Sequence, residues 1–166
     1  MGLFITKVKE GDYSRIQLSF LVILRVLIGW HFLYEGITKM VNPDWSAFGF
    51  LKDSGWIFSG LFHSMANNPG VLKIVDFLNV WGLILIGLSL ILGFLSRPAI
   101  LGGIILLAMY YLSHPPFVGI EYAIPSEGKY LWINKNLIEL AALAVLFVFP
   151  TSRKIGLDRS IFRSRD

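Results

Sequence analysis

Four residues in one apolar stretch could do acid–base or anion chemistry. They are Arg25, His31, Glu35 and Lys39, set in the run 18–40. His31, Glu35 and Lys39 are spaced by four, so on a helix they stack along one face. A second apolar stretch, 131–149, carries Asn134, Lys135, Asn136 and Glu139. There Lys135 and Glu139 again share a face. A charged side chain at the centre of a membrane-spanning helix costs about 2.5–3.5 kcal/mol. Such groups persist where they have partners or a task. Imidazole titrates near neutral pH and suits His31 to proton donation. A half-buried carboxylate at Glu35 or Glu139 suits a proton relay. Arg25, Lys39 and Lys135 are fixed cations that could hold a small anion. The structural alternative is an ion-pair network that locks the helices together.

These residues need helices to hold them, and the composition implies membrane-spanning ones. Of 166 residues, 55% are hydrophobic and only 16% charged, with a mean hydropathy of +0.64. That is a membrane-protein composition. Four apolar runs stand out, at about 16–40, 71–95, 98–113 and 131–149. A bilayer core needs about 17–25 helical residues, and the third run falls short where His114-Pro115-Pro116 stops it. Pro98 fits a first helical turn, and Pro150 ends the fourth run. Backbone groups in lipid must be satisfied within their own segment, so these runs are helices. The expected fold is all-α: an integral membrane four-helix bundle, one domain over 1–166, with no room for a separate soluble domain. The chain has no cysteine. Disulfides, thiolate metal sites and a thiol oxidase working through cysteine pairs are thereby excluded. Residues 1–15 hold no apolar core of signal-peptide length, so the first span is expected to act as a retained insertion signal.

The net charge of +4 sits at the ends of the chain. It reads as topology rather than nucleic-acid affinity. Lys7, Lys9, Arg15, Arg97, Arg153, Lys154, Arg159, Arg163 and Arg165 fall on one side of the spans; Lys39, Lys52, Lys73, Lys129 and Lys135 fall on the other. The positive-inside rule places both termini and the Ser96-Arg97-Pro98 turn in the cytoplasm. Loops 41–70 and 114–130 then lie outside. Every span delivers polar residues to the outer half: His31, Glu35 and Lys39; Asp76 and Asn79; Tyr110, Tyr111 and His114; Trp132, Asn134, Lys135, Asn136 and Glu139. A polar pocket ringed by Trp and Tyr is expected there. The first outer loop carries Trp45, Phe48, Phe50, Trp56, Phe58 and Phe62, too aromatic for a solvated linker. Amphipathic interfacial helices are expected in it, the first starting at Asn42-Pro43-Asp44. They serve either as a lid over the pocket or as anchors in the headgroups.

Arg25 lies about 15 Å deeper than Glu35 at 1.5 Å per residue. It shares a stripe with Gly29, Phe32, Gly36 and Lys39, and the two glycines allow another helix to come close. Its side chain either snorkels to the inner interface or reaches outward to a buried carboxylate or a bound anion. His31 and His114 could face each other across the outer half. No ligand spacing supports haem or metal, and neither is expected.

The runs LRVLIGWHFLYEGITKM, MANNPG, GLSLILGFLSRPAILGG and NKNLIELAALAVLF resemble the DoxX superfamily, particularly its DoxD-like branch. Together they cover most of 18–149. The resemblance implies a small four-helix protein of the bacterial cytoplasmic (inner) membrane. The DoxD-like branch is similar to the membrane subunit of thiosulfate:quinone oxidoreductase, which couples thiosulfate oxidation to tetrathionate with quinone reduction. On that resemblance the chain is a quinone-linked oxidoreductase subunit. His31, Glu35 and Glu139 would handle protons, Trp30, Trp132 and Asn136 would flank a quinone, and Arg25, Lys39 and Lys135 would hold the anion. No residue here carries electrons by itself. Either the two substrates react directly, or a second oxidoreductase subunit supplies a cofactor. Lipid is the expected surrounding, and homo-oligomerisation stays open. The rival reading is a non-enzymatic scaffold or partner- or lipid-binding bundle. A small-molecule carrier ranks lower, because no inverted repeat or broken helix pair is present.

Overall fold

The computed structural model describes residues 13–117, 119–123 and 130–161. Lys7, Lys9, Lys129, Arg163 and Arg165 of the charge pattern lie outside the described residues. Within them the chain is all-α: α1 (Arg15–Val41), α2 (Phe48–Lys52), α3 (Ser59–Asn67), α4 (Pro69–Leu92), α5 (Ser96–Ser113), α6 (Lys135–Val148) and α7 (Asp158–Ile161). Three of these, α1, α4 and α5, are long and apolar enough to cross a membrane.

Local chemistry sets the boundaries. Ser14 and Gln17 form a reciprocal capping box at the start of α1. Asn68 caps α4 by accepting from the Gly70 and Val71 amides, and Pro69 occupies the first turn. This start precedes the expected residue 71 because the Asn-Pro pair is itself the helix signal. Gly93, with φ 65°, ends α4 in the left-handed conformation, short of the expected residue 95. Asn42-Pro43-Asp44 does not start a helix. Asn42 ends α1 and its side chain accepts from the Asp44 amide at 3.2 Å, so the motif is a turn, and the first loop helix begins at Phe48.

The fourth expected span, 131–149, is shorter as a helix. Ile133 N donates to the Tyr130 carbonyl at 3.0 Å, Leu131 has φ 60°, and Asn134 caps α6 by accepting from Leu137 N at 3.0 Å. The 14 residues of α6 rise about 21 Å, against a hydrocarbon core of about 30 Å.

Helix α1 packs on α4, α4 on α5 and α5 on α6, and α6 returns to α1. Small residues bring α1 and α4 together. A Cβ added to Gly87 would lie 2.5 Å from Leu33 N, and one added to Gly36 would lie 2.7 Å from Ile84 Cγ1. The core between the four helices holds Phe32, Leu90, Leu143 and Leu146, all essentially inaccessible. The outer faces are apolar as well. On α1, Ile16, Phe20, Ile23, Leu27, Trp30, Tyr34 and Ile37 form an exposed stripe at helical spacing. A face of this kind matches lipid rather than water.

The bundle has two distinct ends. One, the turn end, carries the α4–α5 turn and residues 150–161, joined by Leu157 N to the Leu92 carbonyl and Asp158 N to the Gly93 carbonyl. The other, the loop end, carries α2, α3 and residues 114–117, 119–123 and 130–134.

Candidate functional site

At the loop end a chain of polar side chains runs through all four long helices. Glu139 of α6 accepts from His31 of α1, with Nδ1 2.8 and 2.9 Å from the two carboxylate oxygens. With Glu139 as the acceptor, Nδ1 is the nitrogen that carries the proton in this contact. His31 Nε2 then faces Glu35, 4.0 Å away. Lys39 Nζ stands 3.8 Å from the other oxygen of Glu35 and donates to Asn79 Oδ1 of α4 at 3.2 Å. Asn79 Nδ2 donates to the hydroxyl of Tyr110 on α5 at 2.7 Å. The stacking of His31, Glu35 and Lys39 at intervals of four makes this chain continuous.

A cavity of about 380 Å³ opens beside it. His31, Glu35, Lys39, Asn79, Tyr110, His114, Asn134, Lys135 and Asn136 contribute polar groups. Phe32, Leu83, Leu107, Trp45 and Phe50 contribute apolar and aromatic wall. The size and the mixed lining are those of a small-molecule site. Glu35 remains 42% exposed, so the polar chain has an outlet, while Glu139 is only 9% exposed and closes its far end.

The first loop supplies one wall. Asp76 of α4 accepts from Ala47 N at 2.7 Å and Ser46 Oγ at 2.9 Å, which fixes the approach to α2. Phe50 then stacks on His114, with centroids 4.0 Å apart, and Tyr122 lies on the same imidazole at 4.5 Å. Asp53 accepts from Ala123 N at 2.9 Å and stands 3.5 Å from His114 Nε2. Burial holds the His114 pKa below its ordinary value, against the opposing pull of Asp53. The loop aromatics divide their duties: Trp45 and Phe50 line the cavity, Phe62 is buried against Ala47, Leu51 and Ala66, and Phe48 and Phe58 are exposed.

Of the residues singled out from sequence, the structure brings His31, Glu35, Lys39, Lys135 and Asn136 to the cavity, with Glu139 directly behind His31. Trp30 is elsewhere. One position before His31, it points about 100° away round the helix and joins the exposed stripe, 61% accessible. Trp132 is 58% accessible, and its carbonyl accepts from Tyr111 OH at 2.7 Å. Arg25 is at the turn end and only 3% exposed. It neither snorkels into lipid nor reaches outward: Nη1 donates to Thr151 Oγ1 at 2.9 Å and Nη2 to the Ile155 carbonyl at 2.8 Å. Both Nη atoms are engaged with the C-terminal segment, and Arg25 does not line the cavity. Asp76 and Asn79 share a helix face but part company, the first holding the loop and the second the cavity. Among the described residues no group of three or more His, Asp or Glu side chains could hold a metal ion.

Asp53 and Tyr122 carried no signal in the sequence. Asp53 meets a partner 70 positions away, and nothing in LKDSG marks it.

No curated protein and no solved structure matches this chain. The DoxX family model matches residues 20–115. That segment contains α1 from Phe20 onward and α2 through α5, and with them every cavity-lining residue except Pro116, Tyr122, Asn134, Lys135 and Asn136. The match is to the family as a whole and ends before NKNLIELAALAVLF. It covers more than half of a chain whose helices suit a bilayer, and the chain is therefore a membrane protein belonging to the DoxX family.

Proposed function

We propose that the loop-end cavity is the quinone site of a membrane oxidoreductase subunit of DoxD-like type, working on thiosulfate or a related small anion. The observation that carries this reading is the polar chain from Glu139 to Tyr110 opening into an aromatic cavity of about 380 Å³. A quinone headgroup is planar and apolar with acceptor oxygens at its edge, and the lining offers both kinds of contact. When bound, quinone supplies a two-electron, two-proton acceptor, and the joining of two thiosulfate ions through a new S–S bond releases those two electrons.

The protein's part is binding and proton supply. Glu139 holds the His31 ring with Nε2 on the Glu35 side, so His31 is placed to pass a proton into the cavity. Glu35, part exposed, refills it from the surface. Lys39 and Lys135 supply positive charge for the anion. The segregation of Arg15, Arg97, Arg153, Lys154 and Arg159 to the turn end supports an orientation with that end in the cytoplasm and the loop end outside. The inner membrane of a bacterium is the setting this implies.

A structural lock is the second reading, favoured by the fact that His31–Glu139 and Lys39–Asn79–Tyr110 each join different helices. Quinone reduction by the purified protein with thiosulfate, alone and with partners from the same membrane, separates the two. His31→Gln keeps a donor for Glu139 but cannot titrate, and Glu35→Gln removes the relay. Loss of reduction in both variants with unchanged melting supports the quinone site. Variants that differ from wild type in melting alone, in a protein that binds no quinone, establish the lock.

A further inference from the structure

The Tyr110 hydroxyl has an unspent proton facing the cavity. A lysine ammonium has donors only, so Asn79 must turn its carbonyl oxygen to Lys39, at 3.2 Å, and its NH2 group to Tyr110, at 2.7 Å. Lys39 Nζ lies 3.5 Å from the same hydroxyl oxygen and can likewise only donate to it. A phenol oxygen has two acceptor positions and one proton. Both neighbours claim the acceptor positions, so neither can take the proton. No acceptor for it lies among the described residues, and Tyr110 lines the cavity. Its ring packs against Phe50 in a T-shaped contact, with centroids 5.7 Å apart.

We infer that Tyr110 is a ligand-binding donor of this site, giving its hydroxyl hydrogen to an acceptor oxygen on a planar ligand. On the quinone reading just proposed, on which this role rests, that acceptor is one of the two ring carbonyl oxygens. Two donors on the phenol oxygen polarise its O–H bond and strengthen the bond it gives. Asn79 is then a positioning residue, set by Lys39, and His31 serves the site from further along α1.

The test uses the full-length protein in lipid nanodiscs with a short-chain benzoquinone labelled with ¹³C at its carbonyls. Infrared difference spectra report whether a carbonyl accepts a hydrogen bond. In wild type, one carbonyl band is expected at lower frequency than for quinone in lipid alone. In Y110F that band returns to the lipid position, and the dissociation constant rises about tenfold. Y111F, whose hydroxyl is spent on the Trp132 carbonyl, leaves the band in place. Fluorotyrosine at position 110 keeps the fold's hydroxyl and makes it a stronger donor, so the band moves further down; this measurement stands even where Y110F does not fold. Quinone binding with the same lowered band in wild type and Y110F, or a band indifferent to fluorination, overturns the donor role alone. A wild-type protein that binds no quinone overturns the quinone reading, and this carbonyl contact with it.

Discussion

The two ends of the bundle both bury charge, and they treat it differently. At the turn end Arg25 is surrounded by backbone. Its two Nη atoms go to Thr151 and Ile155, and a Cβ built on Gly93 would fall 2.7 Å from Gly156 Cα and 3.1 Å from Arg25 Nη2. Asp158 nearby accepts from Leu95 N and Ser96 N at 2.7 and 3.2 Å, capping α5 from 62 positions away. This charge ties the C-terminal segment to the α4–α5 turn, where Gly93 and Gly156 pack closely. At the loop end Glu139, His31, Glu35 and Lys39 are also partnered, yet their partners line a cavity of about 380 Å³. Burial of charge does not by itself make a site. The cavity beside the charge distinguishes the loop end from the turn end.

The largest expected effect divides the ends by function. His31→Gln should lower quinone reduction by about 100-fold or more, the scale of general acid–base catalysis, with little change in melting. A His31→Gln protein as active as wild type would place the loop end in the same structural class as the turn end.

Next in size is the converse. Arg25→Gln should cost about 2 kcal/mol of stability, since hydrogen bonds from a charged donor are lost and a buried carbonyl is left unpaired. Chemical denaturation in detergent measures it. Quinone affinity should not move; a parallel loss of affinity would couple the two ends. Asp158→Asn should cost about 1 kcal/mol, because a charge-assisted cap on two α5 amides becomes a neutral one. An unchanged melting curve would show that the C-terminal segment does not hold the turn.

A smaller effect concerns the loop wall. Burial lowers the His114 pKa from its ordinary 6.5, so the folded state prefers neutral imidazole. The unfolded chain then binds the extra proton first, and stability falls as pH drops below about 6.5, levelling off once the folded form is also protonated. Asp53 and Tyr122 are the ionisable groups against this ring. His114→Phe should flatten that part of the stability–pH profile, and a profile identical to wild type would locate the titration elsewhere.

Much of this was legible in the sequence. The four-residue spacing of His31, Glu35 and Lys39 gives their common face on any helix, and the topology puts Asn79 and Tyr110 at the same level. Gly29 and Gly36 mark where α4 comes close. What was not legible depends on rotation and on distant contacts. Trp30 is adjacent to His31 in sequence and a quarter-turn or more away in space. Arg25 lies on the stripe of Lys39, but its length lets it reach residues 151 and 155, which no local pattern announces. The start of α6 falls later than the expected residue 131 because 131–133 is apolar enough to read as helix, while the Asn134 cap sets the boundary. The pairing of Asp53 with Ala123 exists only after two loops have folded together.

The central claim is that the loop-end cavity, not the apolar surface, takes the quinone. Trp45 lines the cavity, whereas Trp30 stands on the lipid-facing stripe. Quinones quench indole fluorescence, saturably where they bind and in proportion to concentration where they merely dissolve in lipid. Titration of the purified protein with a short-chain quinone should show a saturable component that disappears in Trp45→Phe and persists in Trp30→Phe. Quenching with no saturable component, or a saturable component lost in Trp30→Phe and kept in Trp45→Phe, would contradict the account.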